Sequence, residues 1–106
     1  MQQVRAKKFL GQHFLNDLCV AQKIAQTIQS GQVLEIGPGM GVLTQYLLKN
    51  SNIQLTAVEI DRESISYLKE YFPELNLIEG DFLKLDLNSI FQSNSFSVIG
   101  NYPYNI

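Results

Sequence analysis

The chain has 106 residues, 45% of them hydrophobic and 17% charged, with a formal charge of −2; this fits one ordinary globular domain, with nothing to suggest two, and excludes a low-complexity or solenoid protein. So mildly acidic a balance also excludes holding nucleic acid by bulk charge alone. No apolar run is long enough for a bilayer-spanning helix, and Met1 to Lys8 lack the apolar core of a signal peptide, so a cytoplasmic location with no membrane partner is expected.

Arg5, Lys7 and Lys8 place three of the eight basic residues within the first ten positions, leaving five basic against ten acidic residues after them. Such a cluster is either a solubilising tail or a phosphate-contacting arm. We separate residues 1–16, as an arm, from residues 17–106, which carry the periodic pattern. From Asn16 onward, Leu18, Ala21, Ile24, Ala25 and Ile28 follow helical spacing, with Asn16 or Asp17 as the N-cap and Gly31 as the stop. Cys19, the single cysteine, falls on the helix face read as buried and is expected to be a small core residue.

Gln32 to Ile36 is a short apolar run entering a glycine cluster, and Val42 to Lys49 then reads as a helix. Gln54 to Ile60 reads as a second strand, and Arg62 to Phe72 resumes helical spacing through Ile65, Leu68 and Phe72 until Pro73 stops it. Asp61 is placed to cap that helix. Leu75 to Glu79 is the third strand, Asp86 to Gln92 holds a short helix, and Phe96 to Gly100 is the fourth strand. Strands at about 32–36, 54–60, 75–79 and 96–100, alternating with helices, predict an α/β fold with a parallel, Rossmann-like sheet.

In such a sheet a ligand lies beyond the carboxyl ends of the strands, near the point where strand order reverses. The notable polar residues fall at those ends: the glycines after the first strand, Glu59 at the end of the second, Asp81 after the third and Asn101 after the fourth. Gly37, Gly39 and Gly41 alternate as GxGxG, allowing a sharp turn in which a ligand rests against N–H groups at a helix start. Val42 occupies the place where a dinucleotide fingerprint needs its third glycine, so a nicotinamide enzyme fits less well. Glu59, twenty residues beyond Gly39, can accept from both hydroxyls of a ribose, a feature shared by NAD and S-adenosylmethionine sites. Asp81 either caps the next turn or accepts from an adenine amino group, and Phe82 packs on a ring or in the core.

Asn101-Tyr102-Pro103-Tyr104 sets an amide, a proline-fixed corner and aromatic rings at a strand end. An exocyclic base amine is a poor nucleophile because its lone pair is delocalised. If the Asn101 side-chain oxygen and the Tyr102 carbonyl accept its two hydrogens, the lone pair can point at an electrophilic methyl group, with Tyr104 stacked on the flipped base. A plain turn holding tyrosines is the other reading.

Lys8-Phe9-Leu10-Gly11-Gln12-His13-Phe14-Leu15, followed by EIGPGMG, VEID, EGDFL and NYPY, closely resembles the KsgA-type small-subunit rRNA adenine dimethyltransferases and, more loosely, the Erm enzymes. The likeness spans nearly the whole chain. It implies a Rossmann-like S-adenosylmethionine-dependent methyltransferase fold acting on two adjacent adenosines in small-subunit rRNA, or on the immature small ribosomal subunit, during ribosome biogenesis. Each adenosine would become N6-dimethyladenosine, and no metal is expected. Carried over by position, Gln12, His13 and Leu15 would close over the methionine end of the cofactor, Gly37 and Gly39 line its backbone, Glu59 hold the ribose, Ile60 and Phe82 flank the adenine, and Asp81 hold its amino group. Asn101, Tyr102, Pro103 and Tyr104 would form the catalytic corner, Asn101 also meeting the cofactor. His13 is given no acid–base role, since attack needs no prior base and the proton can leave after methyl transfer.

Position 102 is Tyr where the family usually has a branched aliphatic residue, a change that backbone carbonyl chemistry tolerates. The family continues well past this length with further strands and a helical domain, so the resemblance implies an N-terminal part that keeps most cofactor contacts, is inactive or nearly so on RNA, and self-associates through an exposed sheet edge, whereas the full-length protein would be a monomer. A methyltransferase of protein glutamine or DNA adenine, a non-catalytic RNA-binding module and a NAD-dependent dehydrogenase stay open as alternatives.

Overall fold

The computed structural model describes residues 18–91 and 95–100. Along them run helix α1 (Leu18–Gln26), strand β1 (Gly31–Ile36), helix α2 (Val42–Leu48), strand β2 (Ile53–Glu59), helix α3 (Arg62–Tyr71), strand β3 (Asn76–Glu79), a 3-10 turn (Phe82–Lys84), helix α4 (Leu87–Phe91) and strand β4 (Ser97–Gly100). Each strand lies within one residue of its expected bounds. The four strands form one parallel sheet in the order β3-β2-β1-β4. Chain order therefore reverses between β1 and β4, which opens a crevice at their carboxyl ends.

Strand β1 is central and carries four consecutive buried residues, Val33, Leu34, Glu35 and Ile36. Continuous rather than alternating burial is what a parallel strand covered on both faces requires. On one face, Leu34, Ile36 and Val58 pack against Phe91 of α4, whose ring stacks on Phe96 at 4.1 Å. On the other face lie α1, α2 and α3: Ala21 and Ala25 meet Leu43 and Leu47, while Leu68 and Leu75 cover Ala57. Full burial of one leucine such as Leu34 or Leu47 contributes about 1.5–3 kcal/mol, so these layers hold the crevice in place.

Two expectations for α1 are corrected. Its buried stripe is the one-turn pair Ala21 and Ala25, and Cys19 sits two residues from Ala21, half a helical revolution away, so Cys19 is exposed; Leu18, at the first position of the helix, is also 53% exposed. The helix also ends at Gln26, where the Thr27 hydroxyl donates to the Ile24 carbonyl at 2.6 Å, and Gly31, with φ of 100°, opens β1 instead of stopping the helix. The proposed caps Asn16 and Asp17 lie outside the described residues.

Helix α3 begins as expected, with the Asp61 carboxylate accepting from the Ser64 N–H at 3.0 Å and the Ser64 hydroxyl at 3.1 Å. It ends at Tyr71, and Phe72 follows as its C-cap. Asp86 precedes α4, accepting from the Ser89 hydroxyl at 2.8 Å and the Asn88 N–H at 3.1 Å. The Ser89 hydroxyl and then its backbone N–H hold the Asp86 carboxyl below its ordinary value, as bonds to the ionised form must.

Candidate functional site at the carboxyl edge of the sheet

The described part of the candidate site is three chain segments that leave β1, β2 and β3 at the same edge of the sheet, beside the β1–β4 crevice. The first is the glycine turn. Gly37, Gly39 and Gly41 all have positive φ, at 65°, 59° and 84°, a conformation that side chains resist and that lets β1 reverse into α2 within five residues. Gly37 extends the ladder past β1 by donating its N–H to the Val58 carbonyl at 2.9 Å, and Gly41 closes the turn on the Pro38 carbonyl at 2.9 Å.

Glu59 ends β2 and is only 3% exposed. Its Oε1 accepts from the Gly39 N–H at 2.9 Å, while Oε2 accepts from the N–H groups of Asp61 at 3.1 Å and Ile60 at 3.2 Å. One carboxylate thus ties the glycine turn to the segment that starts α3, and the Asp61 it holds is the cap of that helix. Bonds to an ionised acceptor are about twice as strong as neutral ones, which suits a charge this deep.

These bonds revise the reading of the turn. The N–H groups of Gly37, Gly39 and Gly41 all donate within the protein, so the turn offers a ligand its shape and bare backbone rather than three open donors. Beside it Ile60 lies just past the end of β2, not in the strand, and is 58% exposed. Asp81 caps the 3-10 turn, its Oδ1 accepting from the Leu83 N–H at 3.0 Å, and it is half-buried next to half-buried Phe82. The structure thus brings Gly37, Gly39, Glu59, Ile60, Asp81 and Phe82 to one sheet edge as the sequence order foretold. Gln12, His13 and Leu15, and Asn101, Tyr102, Pro103 and Tyr104, lie outside the described residues.

A further buried carboxylate, besides Glu59 and Asp61, has no role in the motifs. Glu35 is 1% exposed on the face of β1 that α2 covers, and its Oε1 accepts from the hydroxyl of fully buried Thr44 at 2.6 Å. Thr44 stands in the first turn of α2, so this bond fixes the helix start to the strand across the glycine turn. The signal was present as an acidic residue inside an otherwise apolar strand, which needs a donor on the element packed above it.

Among the described residues no group of three or more His, Cys, Asp or Glu could hold a metal ion, and no helix is long and apolar enough to cross a membrane.

The family model for ribosomal RNA adenine dimethylases matches residues 3–106. The chain is 56% identical to the ribosomal RNA small subunit methyltransferase A of Cytophaga hutchinsonii, over all of this chain and 43% of that protein. It is 58% identical to the protein of the same name from Parabacteroides distasonis, over all of this chain and 41% of that one. The chain therefore spans less than half the length of the relatives it matches. Among solved structures it is similar to the 23S rRNA methyltransferase ErmE, with a TM-score of 0.71 and 32% identity over 88% of this chain and 38% of that one. The glycopeptide N-methyltransferase MtfA with bound S-adenosylmethionine shares the fold, with a TM-score of 0.53 and 24% identity over 71% of this chain and 42% of that one.

Proposed function

Because the chain belongs to the ribosomal RNA adenine dimethylase family, we propose that its crevice binds S-adenosylmethionine and that the protein transfers methyl groups to the exocyclic amines of two adjacent adenosines in small-subunit rRNA, within the immature small ribosomal subunit in the cytoplasm. The observation that carries the reading is Glu59 bonded across to Gly39 at 2.9 Å, which joins the two strand ends an adenosyl group would span.

The residues present fit that cofactor. The glycine turn has no side chains to obstruct a close approach at Gly37 and Gly39, Ile60 offers an exposed apolar surface beside a buried carboxylate, and Asp81 keeps Oδ2 beside its capping oxygen. Glu59 would take the ribose hydroxyls, Ile60 and Phe82 the adenine faces, and Asp81 the adenine amino group. Residues 1–16 would act as an arm in which Gln12, His13 and Leu15 close over the methionine end. When bound, the cofactor supplies an electrophilic methyl group on a sulfonium sulfur.

The chain's own part in the chemistry is orientation. Asn101 and the Tyr102 carbonyl would accept the two amine hydrogens, turning the nitrogen lone pair out of conjugation, while Pro103 fixes the corner and Tyr104 stacks on the base. The proton leaves after transfer, so no basic side chain is needed. The close resemblance over the whole chain to small-subunit enzymes supports that acceptor over the large-subunit RNA named for ErmE.

Titration calorimetry of the chain with S-adenosylhomocysteine and, separately, NAD tests the cofactor. Saturable binding of the first alone is expected; binding of NAD alone would overturn the reading. Incorporation of labelled methyl groups from S-adenosylmethionine into small-subunit rRNA of unmodified particles tests the acceptor, and label appearing only on DNA adenine or protein glutamine would move the reading to those substrates.

A further inference from the structure

The glycine turn has a support where it enters α2. Gly41 is buried with φ of 84°, its N–H closing on Pro38 and its carbonyl accepting from the Gln45 N–H at 3.0 Å. A Cβ built on Gly41 would meet the ring of Phe72, at 2.8 Å from Cζ and closer still to Cε2. The ring therefore lies directly against the Gly41 backbone, in the space a side chain would fill. The third glycine of the motif is thus explained by its conformation and by Phe72, with no ligand required.

Phe72 is itself held at its base. It is the C-cap of α3, with its N–H donating to the Leu68 carbonyl at 2.8 Å and its carbonyl accepting from the Leu75 N–H at 3.0 Å, and it packs on the cluster of Ala57, Leu68 and Leu75. A ring so anchored can act as a fixed stop. Three positive-φ glycines give a turn wide conformational freedom, and each point at which it is pinned removes some of that freedom before a ligand arrives. Gly37 is pinned to Val58 and Gly39 to Glu59.

We infer that Phe72 is a positioning residue for the cofactor site: its ring, seated on Gly41, sets the glycine turn in the form that receives the cofactor, so that affinity at the carboxyl edge depends on ring shape at the far end of α3. The inference rests on the cofactor reading above for its ligand but not for the turn. Phe72→Leu keeps apolar volume and removes the flat ring. In the ligand-free chain it should move the backbone 1H–15N signals of Gly37 and Gly39, whose amides are bonded to Val58 and Glu59, and it should weaken S-adenosylhomocysteine binding about fivefold or more by calorimetry.

Leu47→Val serves as the control, since it lowers stability through the separate cluster of Ala21, Ala25 and Leu43, away from the seat of Phe72, and should leave affinity within about twofold. If Phe72→Leu does not fold, Phe72→Met makes the same comparison. Unmoved glycine signals with affinity within about twofold of the parent chain would overturn the inference, even if the urea midpoint falls. A parent chain that binds no S-adenosylhomocysteine would overturn the cofactor reading instead, and the glycine signals would still decide whether Phe72 sets the turn.

Discussion

Replacing Glu59 by glutamine exchanges one oxygen of a buried carboxylate for an NH2 group and leaves the shape unchanged. Two oxygens now serve three backbone donors, Gly39 at Oε1 and Ile60 and Asp61 at Oε2. With its one oxygen, the substituted amide can keep the Oε2 pair, in which case its NH2 faces the Gly39 N–H and that buried donor is left unmade; the opposite flip forfeits both of the others. The first choice costs less. A hydrogen bond to a charged group contributes about 1.5–3 kcal/mol, and relief of the buried charge offsets part of it, so we expect Glu59→Gln to lower stability by about 2 kcal/mol. Urea unfolding followed by circular dichroism, without any ligand, measures this directly. A midpoint within error of the parent chain would refute the idea that Glu59 braces the turn, whatever happens to cofactor binding.

Gly41→Ala forces a side chain into φ of 84° and into the Phe72 ring, and should cost about 1–2 kcal/mol from the backbone alone with a further loss from the overlap, read as a lower thermal midpoint. Thr44→Val deprives buried Glu35 of a 2.6 Å donor and should cost about 1.5–3 kcal/mol in urea unfolding, whereas Thr44→Ser, which keeps the hydroxyl, should retain most of that bond. For Asp86, lowered by the Ser89 hydroxyl, the sign follows from linkage: a depressed native value gives stability that is present above the ordinary 3.8 and is lost as pH falls through the native value. Urea midpoints of the parent and Asp86→Asn chains should therefore differ by a constant amount at neutral pH and converge in acid; a gap that persists in acid would contradict the assignment.

The fold was legible because burial leaves a period in the sequence. Four short apolar runs separated by helical spacing gave the strands to within one residue, and the polar residues at their carboxyl ends gave the location of the crevice. What periodicity does not encode is who bonds to whom. Cys19 looked buried because it stands among apolar neighbours, but two alanines decide which side of α1 lies on α2. The glycine amides looked open because a motif does not show that Glu59 and the Val58 and Pro38 carbonyls already hold them. The Glu35–Thr44 bond and the Phe72–Gly41 contact are missing from any motif because each joins elements that only tertiary packing brings together.

The strand order also shapes how the chain assembles. Among the described strands β1 comes first, yet it ends in the interior of the sheet between β2 and β4, with Val33 paired to Ser97 far along the chain. β2 and β3 can add in succession on one side as they become available, each across a single helix. The other side of β1 must wait for β4, whose arrival closes the longest loop in the sheet and brings Phe96 onto Phe91. Closing long loops is the slow part of building a parallel sheet. Refolding should thus proceed in two rates, with protection of β1 and β2 amides from hydrogen exchange preceding that of β4, and the crevice at the β1–β4 junction should be the last region to mature.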